Sequence, residues 1–209
     1  MSSSTPERDL VLLLADKDIE GSVKGLLSRP RAIGLREISS DSYVHPDHDP
    51  GCLRRGHEFL RPFVGRYRHA LVVFDRRGCG KETADRSTLE AEVEGRLSAS
   101  GWTDRAAAVA IDPEVEVWVW TDSPHVASVL GWQDQPLPLR EWLNREGWLL
   151  SGAHKPENPK KAMIEALRRT QRPRSSALFL ELAARVNTNR CIDPAFLKLK
   201  EVLRAWFPR

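Results

Sequence analysis

The sequence predicts an α/β protein with a central, mainly parallel sheet flanked by helices and a helical C-terminal portion. The apolar runs at residues 10–14, 70–74 and 106–111 are each bounded by turn-forming residues, which is typical of buried parallel strands. A segment with helical spacing follows the first two runs, and three further helical segments end the chain. This order of strands and helices indicates a parallel sheet with right-handed crossovers.

The first strand, residues 10–14, runs directly into Asp16, Asp18 and Glu20. A helix follows over residues 22–27. It should end before Pro30, because proline disfavours helical geometry in the residue that precedes it. The three acids are either metal ligands at the carboxyl edge of the sheet, where open α/β sheets bind ligands, or ordinary acids of a helical first turn. Both interpretations stay open on this stretch alone.

The elements between residues 35 and 75 are predicted from alternating apolar and turn-forming segments. Residues 35–38 form a second strand, and residues 39–51, SSDSYVHPDHDPG, form a loop. Apolar spacing predicts a helix over residues 52–67 despite Pro62, and residues 69–75 form a strong strand that ends on Asp75.

The second half of the chain continues the pattern with helices at 88–97 and 125–130 and a strand at 106–111. Residues 114–120, EVEVWVW, alternate with period two, which favours a strand, although a tightly turned helix start is the alternative. Three helices follow at about residues 159–170, 175–186 and 194–207, and the broad apolar face of the last should dock on the core.

Length and composition fit one globular unit. The chain has 209 residues, 41% of them hydrophobic and 29% charged. We expect a short flexible tail at residues 1–8, an α/β domain at 9–150 and a basic helical portion at 151–209 packed on the same domain. The N-terminus lacks an apolar leader segment and no apolar run approaches the roughly 20 residues of a membrane span, so we expect a cytoplasmic protein without membrane contact.

The three cysteines and the histidines limit the other chemistries. Three widely spaced cysteines without a CxxC pair argue against a disulfide framework or a zinc finger and for a reducing compartment. His45, His48 and His57 lie near aspartates and could bind a transition metal, but prolines and aspartates are also common in capped turns. The sequence has no G-x-S-x-G elbow, and the segment Gly78 to Glu82 lacks the full phosphate-loop pattern.

Charge is distributed unevenly along the chain. Residues 151–209 contain 13 Lys or Arg and 5 Asp or Glu, a net charge of +8, whereas the remainder has a net charge of −5. A basic end can bind a polyanion such as nucleic acid, or it can be a solvated surface. The candidate nucleic-acid contacts are Lys160, Lys161, Arg168 and Arg169 on the predicted helix at 159–170.

Carboxylates lie at the ends of three predicted strands. Asp16 with Glu20 follows the first, Asp75 ends the strand at 69–75, and Asp112 with Glu114 or Glu116 follows the strand at 106–111. Parallel strands place their carboxyl ends at one edge of the sheet, so we expect these acids to converge. Mutual repulsion makes such a cluster costly unless a cation neutralises it, and hard cations such as Mg²⁺ prefer oxygen ligands. The convergence therefore predicts a divalent-metal site.

Several short motifs resemble those of Toprim-like proteins of the RloB type and their relatives. The pattern Asp16-x-x-x-Glu20 resembles an E-G-x-T-E stretch of that family, and the strand VVFD ending at Asp75 agrees with it. The segments HPDHDPGCLRRGHEFL and KPENPKKAMIEAL, and Glu116-x-Trp118 followed by Asp122, agree with the same resemblance. Such proteins tend to be encoded beside bacterial restriction and antiviral defence genes, so the resemblance implies a role in defence with other defence proteins as partners.

The resemblance also implies roles for individual residues. Toprim enzymes usually have Glu where this chain has Asp16, and D-x-D where it has Asp75-Arg76-Arg77. We expect a Mg²⁺- or Mn²⁺-dependent nuclease or phosphoryl-transfer protein, or, because Arg77 replaces an aspartate, a non-catalytic subunit that binds nucleic acid or a partner. The expected catalytic residues are Asp16, Glu20, Asp75 and Glu116, with Asp16, Asp75 and Glu116 on the metal and Arg76, Arg77 and Lys81 on phosphate.

Overall fold

Four parallel strands form one sheet in the computed structural model, which describes residues 7–121, 123–188 and 191–209. The strands are β1 (Arg8–Leu14), β2 (Ser40–Val44), β3 (Tyr67–Asp75) and β4 (Ala106–Ile111), in the order β2-β1-β3-β4. Leu12 pairs with Ser42 on one side and with Leu71 on the other, and Val73 pairs with Val109. The predicted α/β class with a parallel sheet is confirmed.

Helices flank this sheet and fill the C-terminal part of the chain, as predicted. They are α1 (Lys17–Leu27), α2 (His48–Leu60), α3 (Arg86–Leu97), α4 (Glu116–Val119), α5 (Pro124–Val129), α6 (Leu139–Arg145), α7 (Pro159–Thr170), α8 (Ser176–Arg185) and α9 (Pro194–Trp206). Short 3₁₀ turns follow α1 and α2 at Pro30–Ile33 and Arg61–Phe63. Among the described residues, none of the helices combines the length and apolar character that crossing a membrane requires.

The two faces of the sheet are covered by different helices. Val72 of β3 lies under Gly56 of α2, where a Cβ atom would be 3.8 Å from its methyl carbons. His69, which faces the other side because strand side chains alternate, stacks on Trp206 of α9 with ring centroids 4.4 Å apart. Both faces are thus covered, which is why residues 10–14 and 70–75 are buried throughout.

Two glycines allow the C-terminal portion to dock closely on α1. A Cβ atom on Gly21 would lie 2.3 Å from the carbonyl oxygen of Ser176, and one on Gly25 would lie 2.4 Å from that of Leu180. The backbones of α1 and α8 therefore approach more closely than any larger residue permits. This contact brings the segment before α8 to the carboxyl edge of the sheet.

The predicted second strand at residues 35–38 is wrong. Residues 40–44, predicted to be part of a loop, form β2 instead, and Leu35 is buried in an isolated bridge to Pro208. β2 is an edge strand whose residues are all half-buried, so it lacks the apolar run that marked β1 and β3.

Other predicted boundaries also change. Residues 116–119, favoured as a strand, form the helical turn α4, and every residue from 114 to 120 is buried, so that periodicity could not distinguish strand from helix. The helix predicted at 52–67 begins earlier, at His48, and ends at Leu60. The predicted tail at 1–8 overlaps β1, which begins at Arg8, while its residues 1–6 and the motif residue Asp122 lie outside the described residues.

We predict that Asp9→Asn lowers the free energy of unfolding at neutral pH, and that this loss disappears as the pH falls towards 2. Hydrogen bonds from Arg36 lower the pKa of Asp9 from 3.8 to about 2, against the opposing effect of burial, and Ser39 also donates to it. Because the folded-state pKa is the lower one, this stabilisation is present above pH 3.8 and lost as the pH falls towards 2. We expect urea denaturation to show a loss of about 1 kcal/mol at neutral pH.

The same pH series on Arg36→Gln serves as a check, since that variant removes the same interaction from the other side. A difference between Asp9→Asn and wild type that stays constant down to the acid limit would contradict the assignment.

Candidate acidic site

Three carboxylates from two chain segments meet at the carboxyl edge of the sheet. Asp75 ends β3, and Glu114 and Glu116 follow β4. Backbone hydrogen bonds from Arg76 N to Ile111 O (2.7 Å) and from Arg77 N to Pro113 O (3.0 Å) hold the two exits together. One carboxylate oxygen from each of Asp75, Glu114 and Glu116 lies within 4.8 Å of the other two. We call these three residues the acidic trio.

The acidic trio is almost completely buried. Exposure is 6% for Asp75, 4% for Glu114 and 0% for Glu116. Oδ1 of Asp75 and Oε2 of Glu116 are buried without a hydrogen-bond partner among the described residues. A buried oxygen without a donor is costly, so both atoms have unused capacity for a proton or a cation.

Burial and neighbouring acids disfavour the charged forms at this edge. Burial, followed by repulsion from Asp49 and Asp16, raises the pKa of Asp75 well above its ordinary value. Burial also raises the pKa of Asp49 to about 6, although its Oδ1 accepts a 2.7 Å hydrogen bond from Asp75 N. Burial raises the pKa of Asp18 as well, and repulsion from Asp16 and Glu116 adds to it. The edge therefore carries more acid than the protein can easily ionise.

Three cations offset part of this charge. Glu114 pairs through Oε1 with Arg77 at 2.6 Å and through Oε2 with Lys160 of α7. Nη2 of Arg174 lies 2.7 Å from Oε1 of Glu116 and 2.6 Å from Oδ2 of Asp18. Both oxygens of Glu114 are thus occupied, whereas Asp75 and Glu116 each retain an open oxygen.

Asp16 and Glu20, the other two predicted catalytic acids, have different surroundings. Asp16 is the N-cap of α1, where its Oδ1 accepts from the amides of Asp18 (2.9 Å) and Ile19 (2.8 Å). It lies outside the acidic trio, although its charge raises the pKa of Asp75. Glu20 is held by Lys17 (2.7 Å), Lys24 (2.8 Å) and Ser42 (2.7 Å). Burial would raise the pKa of Glu20, but these bonds lower it to about 2, as expected of a structural anchor.

The predicted phosphate-binding residues are each engaged within the protein. Arg76 pairs with Asp112 at 2.9 Å and donates to the carbonyl of Glu82 at 2.6 Å. Nζ of Lys81 lies 2.8 Å from both oxygens of Glu92, and Arg77 pairs with Glu114. Phosphate contact by these three side chains therefore stays a prediction.

The histidines do not form a ligand set with one another. Nδ1 of His48 contacts the carbonyl of Ala15 at 3.0 Å, and Nδ1 of His45 accepts from the amide of Asp47 at 3.0 Å. Within the part of the chain that the structure describes, only the acidic trio brings three ligand-type side chains together. The structure thus offers no support for a histidine metal site in this segment.

Three of the four basic residues of α7 contact other side chains of the protein. Lys160 is committed to Glu114, and Arg168 pairs with Glu165 at 2.7 Å. Arg169 donates to Gln135 at 3.1 Å and lies over the ring of Trp142, and the exposed Lys161 side chain has no partner among the described residues. Lys160 therefore belongs to the acidic site and not to a free basic surface.

The sequence predicts Asp75 and Glu116 as site residues, whereas Glu114 and Arg174 are additional members of the site that the structure reveals. Glu114 was visible as an acid after the strand at 106–111, and strand-end position was the signal that could have selected it. Arg174 is separated from Glu116 by 58 residues, and local sequence carries no signal for that pairing.

Fold and site together define an α/β protein with a parallel four-stranded sheet and a buried acidic cluster at its carboxyl edge. A comparison with protein-family models, with curated proteins and with solved structures finds no match.

We predict that Arg174→Met destabilises the protein by about 2 kcal/mol, because it leaves Asp18 and Glu116 buried without their cation. Methionine retains an apolar stem beside Phe179, over which the guanidinium lies. The matched control is Arg168→Met, which breaks an exposed pair and should cost about 0.5 kcal/mol or less. Urea denaturation measures both.

Adding Glu116→Gln to Arg174→Met should recover part of the loss, since the uncompensated charge is then removed. Equal losses in the Arg174 and Arg168 variants would show that the pairing with Glu116 contributes nothing special.

Proposed function

We propose that this protein is a divalent-metal-dependent phosphoryl-transfer protein that acts on nucleic acid, as a component of a bacterial antiviral defence system. The observation that carries the proposal is the pair of buried, unpartnered oxygens, Asp75 Oδ1 and Glu116 Oε2, within the acidic trio. Hard divalent cations such as Mg²⁺ and Mn²⁺ use carboxylate oxygens of this kind. The defence context is carried by the resemblance to Toprim-like proteins of the RloB type.

The residues of the site fit a metal better than they fit an internal ion-pair network alone. Asp75 and Glu116 each have an open oxygen for the ion, and Glu114 lies beside them. When bound, such an ion stabilises charge on a phosphate and activates a water molecule. Asp49 fixes the exit of β3 through the amide of Asp75, and Arg174 orients Glu116.

The alternative is a non-catalytic subunit that binds nucleic acid or a partner protein of the same system. The observation that favours it is Arg77, which stands where the family usually has an aspartate and pairs with Glu114 at 2.6 Å. With Lys160 and Arg174 it supplies three positive charges to the cluster. In this alternative the cations replace the metal permanently.

We predict that Mn²⁺ or Mg²⁺ raises the melting temperature of wild type by about 5 to 10 °C at roughly 100 times the dissociation constant. Asp75→Asn should abolish the increase, because it removes the ligand charge. Without metal, Asp75→Asn should melt at or above the wild-type temperature, since burial already disfavours the Asp75 carboxylate. Differential scanning calorimetry measures all three.

The matched control is Asp112→Asn, an exposed acid at the same sheet edge outside the acidic trio, which should retain the metal response. Cleavage of DNA or of RNA by wild type, together with its absence in Asp75→Asn, would then identify the protein as an enzyme. A wild-type melting temperature that no divalent metal changes would leave the binding subunit as the function.

We further predict that Glu substitutions at Lys161, Arg168 and Arg169 weaken nucleic-acid binding and reduce the slope of log K against log salt by about 2 units. These side chains lie at the surface of α7, and none contacts the acidic trio. Lys160 is left unchanged because its loss would unpair Glu114. Fluorescence anisotropy at several salt concentrations measures both quantities.

The control carries the same charge change at exposed arginines near the opposite edge of the sheet, Arg31, Arg61 and Arg66. An equal fall in affinity and slope for the control would mean that net charge alone, and not α7, determines binding.

A further inference from the structure

In the loop between β3 and α3, two backbone amides bind the carboxylate of Glu82, a residue of the same loop. Oε1 of Glu82 accepts hydrogen bonds from the amide of Gly78 at 3.0 Å and from the amide of Gly80 at 3.2 Å. Both glycines have positive φ, 93° and 83°, which side-chain-bearing residues rarely adopt. Amides that converge in this way form an anion-binding nest. We call the amides of Gly78 and Gly80 the glycine nest.

The carboxylate in the glycine nest lies at the surface. Glu82 is exposed, so water could solvate its charge without any help from the protein. The amides of Glu82 itself and of Gly80 nevertheless lower the pKa of this carboxyl group. The nest thus favours a negative charge at a position that a ligand can reach.

One cation borders the nest without an acidic partner. A Cβ atom built on Gly80 would lie 2.7 Å from Nη2 of Arg54 on α2, so this guanidinium lies next to the nest. Arg54 is exposed, and no described residue forms an ion pair with it. Arg77 and Lys81, in contrast, form ion pairs with Glu114 and Glu92, respectively.

The glycine nest also lies against the acidic site. A Cβ atom on Gly78 would be 3.7 Å from Oδ2 of Asp49, and Oδ1 of the same carboxylate accepts from the amide of Asp75 at 2.7 Å. An anion in the nest would therefore lie beside the proposed metal ligands. That is where a metal-dependent phosphoryl-transfer protein must hold its substrate.

We propose that the amides of Gly78 and Gly80, together with Arg54, bind a phosphate group of the nucleic-acid substrate, and that the carboxylate of Glu82 occupies this position until phosphate displaces it. The inference rests on the proposed function for the identity of the substrate. Anion binding by the nest itself requires no metal.

Inorganic phosphate, titrated at constant ionic strength without metal, tests the nest through the NMR amide signals of Gly78 and Gly80. Glu82→Gln keeps an oxygen that accepts from both amides but removes the competing charge, so it should bind phosphate about tenfold more tightly than wild type. In the Glu82→Gln background, Arg54→Gln should lose most of that affinity. Arg55→Gln, the neighbouring exposed arginine on α2, is the matched control and should keep it.

Gly80→Ala tests the backbone directly, because a positive φ strains alanine and its Cβ would displace Arg54. Phosphate binding should fall, whereas Gly147→Ala, at a positive-φ glycine with open space around it, should leave binding unchanged. Amide signals of Gly78 and Gly80 that do not move in Glu82→Gln, or that move equally in the Arg54 variant, overturn the proposal.

A short oligonucleotide then tests the source of the phosphate. Displacement of inorganic phosphate by the 5′-phosphorylated oligonucleotide alone assigns a terminal phosphate, and displacement also by the unphosphorylated one assigns a backbone phosphate. Displacement by neither overturns the assignment to nucleic acid. Repeating the titration in Asp75→Asn separates the two proposals, because the metal response can fail while the nest still binds phosphate.

Discussion

The carboxylate of Glu116, which has no exposed surface, is the constraint on which the arrangement of the chain depends. A buried charge requires a partner, and the partner is Arg174, which lies just before α8 in the basic C-terminal portion. Lys160 of α7 reaches Glu114 in the same way. The +8 of residues 151–209 and the −5 of the rest of the chain therefore have a structural explanation, since part of the basic end neutralises the acidic sheet edge.

The central part of the fold could be predicted from the sequence because burial on both faces gives strands such as β1 and β3 a continuous apolar run. β2 could not, because an edge strand with half-buried residues such as Ser42 carries no such run. The strand predicted at α4 was wrong for a different reason. Glu116 and both neighbouring valines are buried, so the alternation of polar and apolar residues did not reflect solvent exposure.

The candidate site was predictable to the extent that strand ends determine it. Asp75 and Glu116 converge because parallel strands share one carboxyl edge. Glu20 does not join them, because Lys17 and Lys24, one helical turn away on either side, hold its carboxylate near β2. Two of the three cations of the site, Lys160 and Arg174, lie 46 and 58 positions away from their acids, distances at which local patterns carry no information.

A proton, side-chain cations or a metal ion can each neutralise a buried acid, and the members of the acidic trio differ in the side-chain cations that they contact. Glu114 uses side-chain cations for both oxygens. Glu116 uses one for a single oxygen. Among the described residues no cation pairs with Asp75, so that burial raises the pKa of Asp75 and favours its protonated form. A metal ion would therefore replace the proton of Asp75 and leave the pairs of Glu114 and Glu116 with Arg77, Lys160 and Arg174 intact. Arg77 is compatible with such an ion, because it neutralises Glu114, whose two oxygens are already paired with side-chain cations.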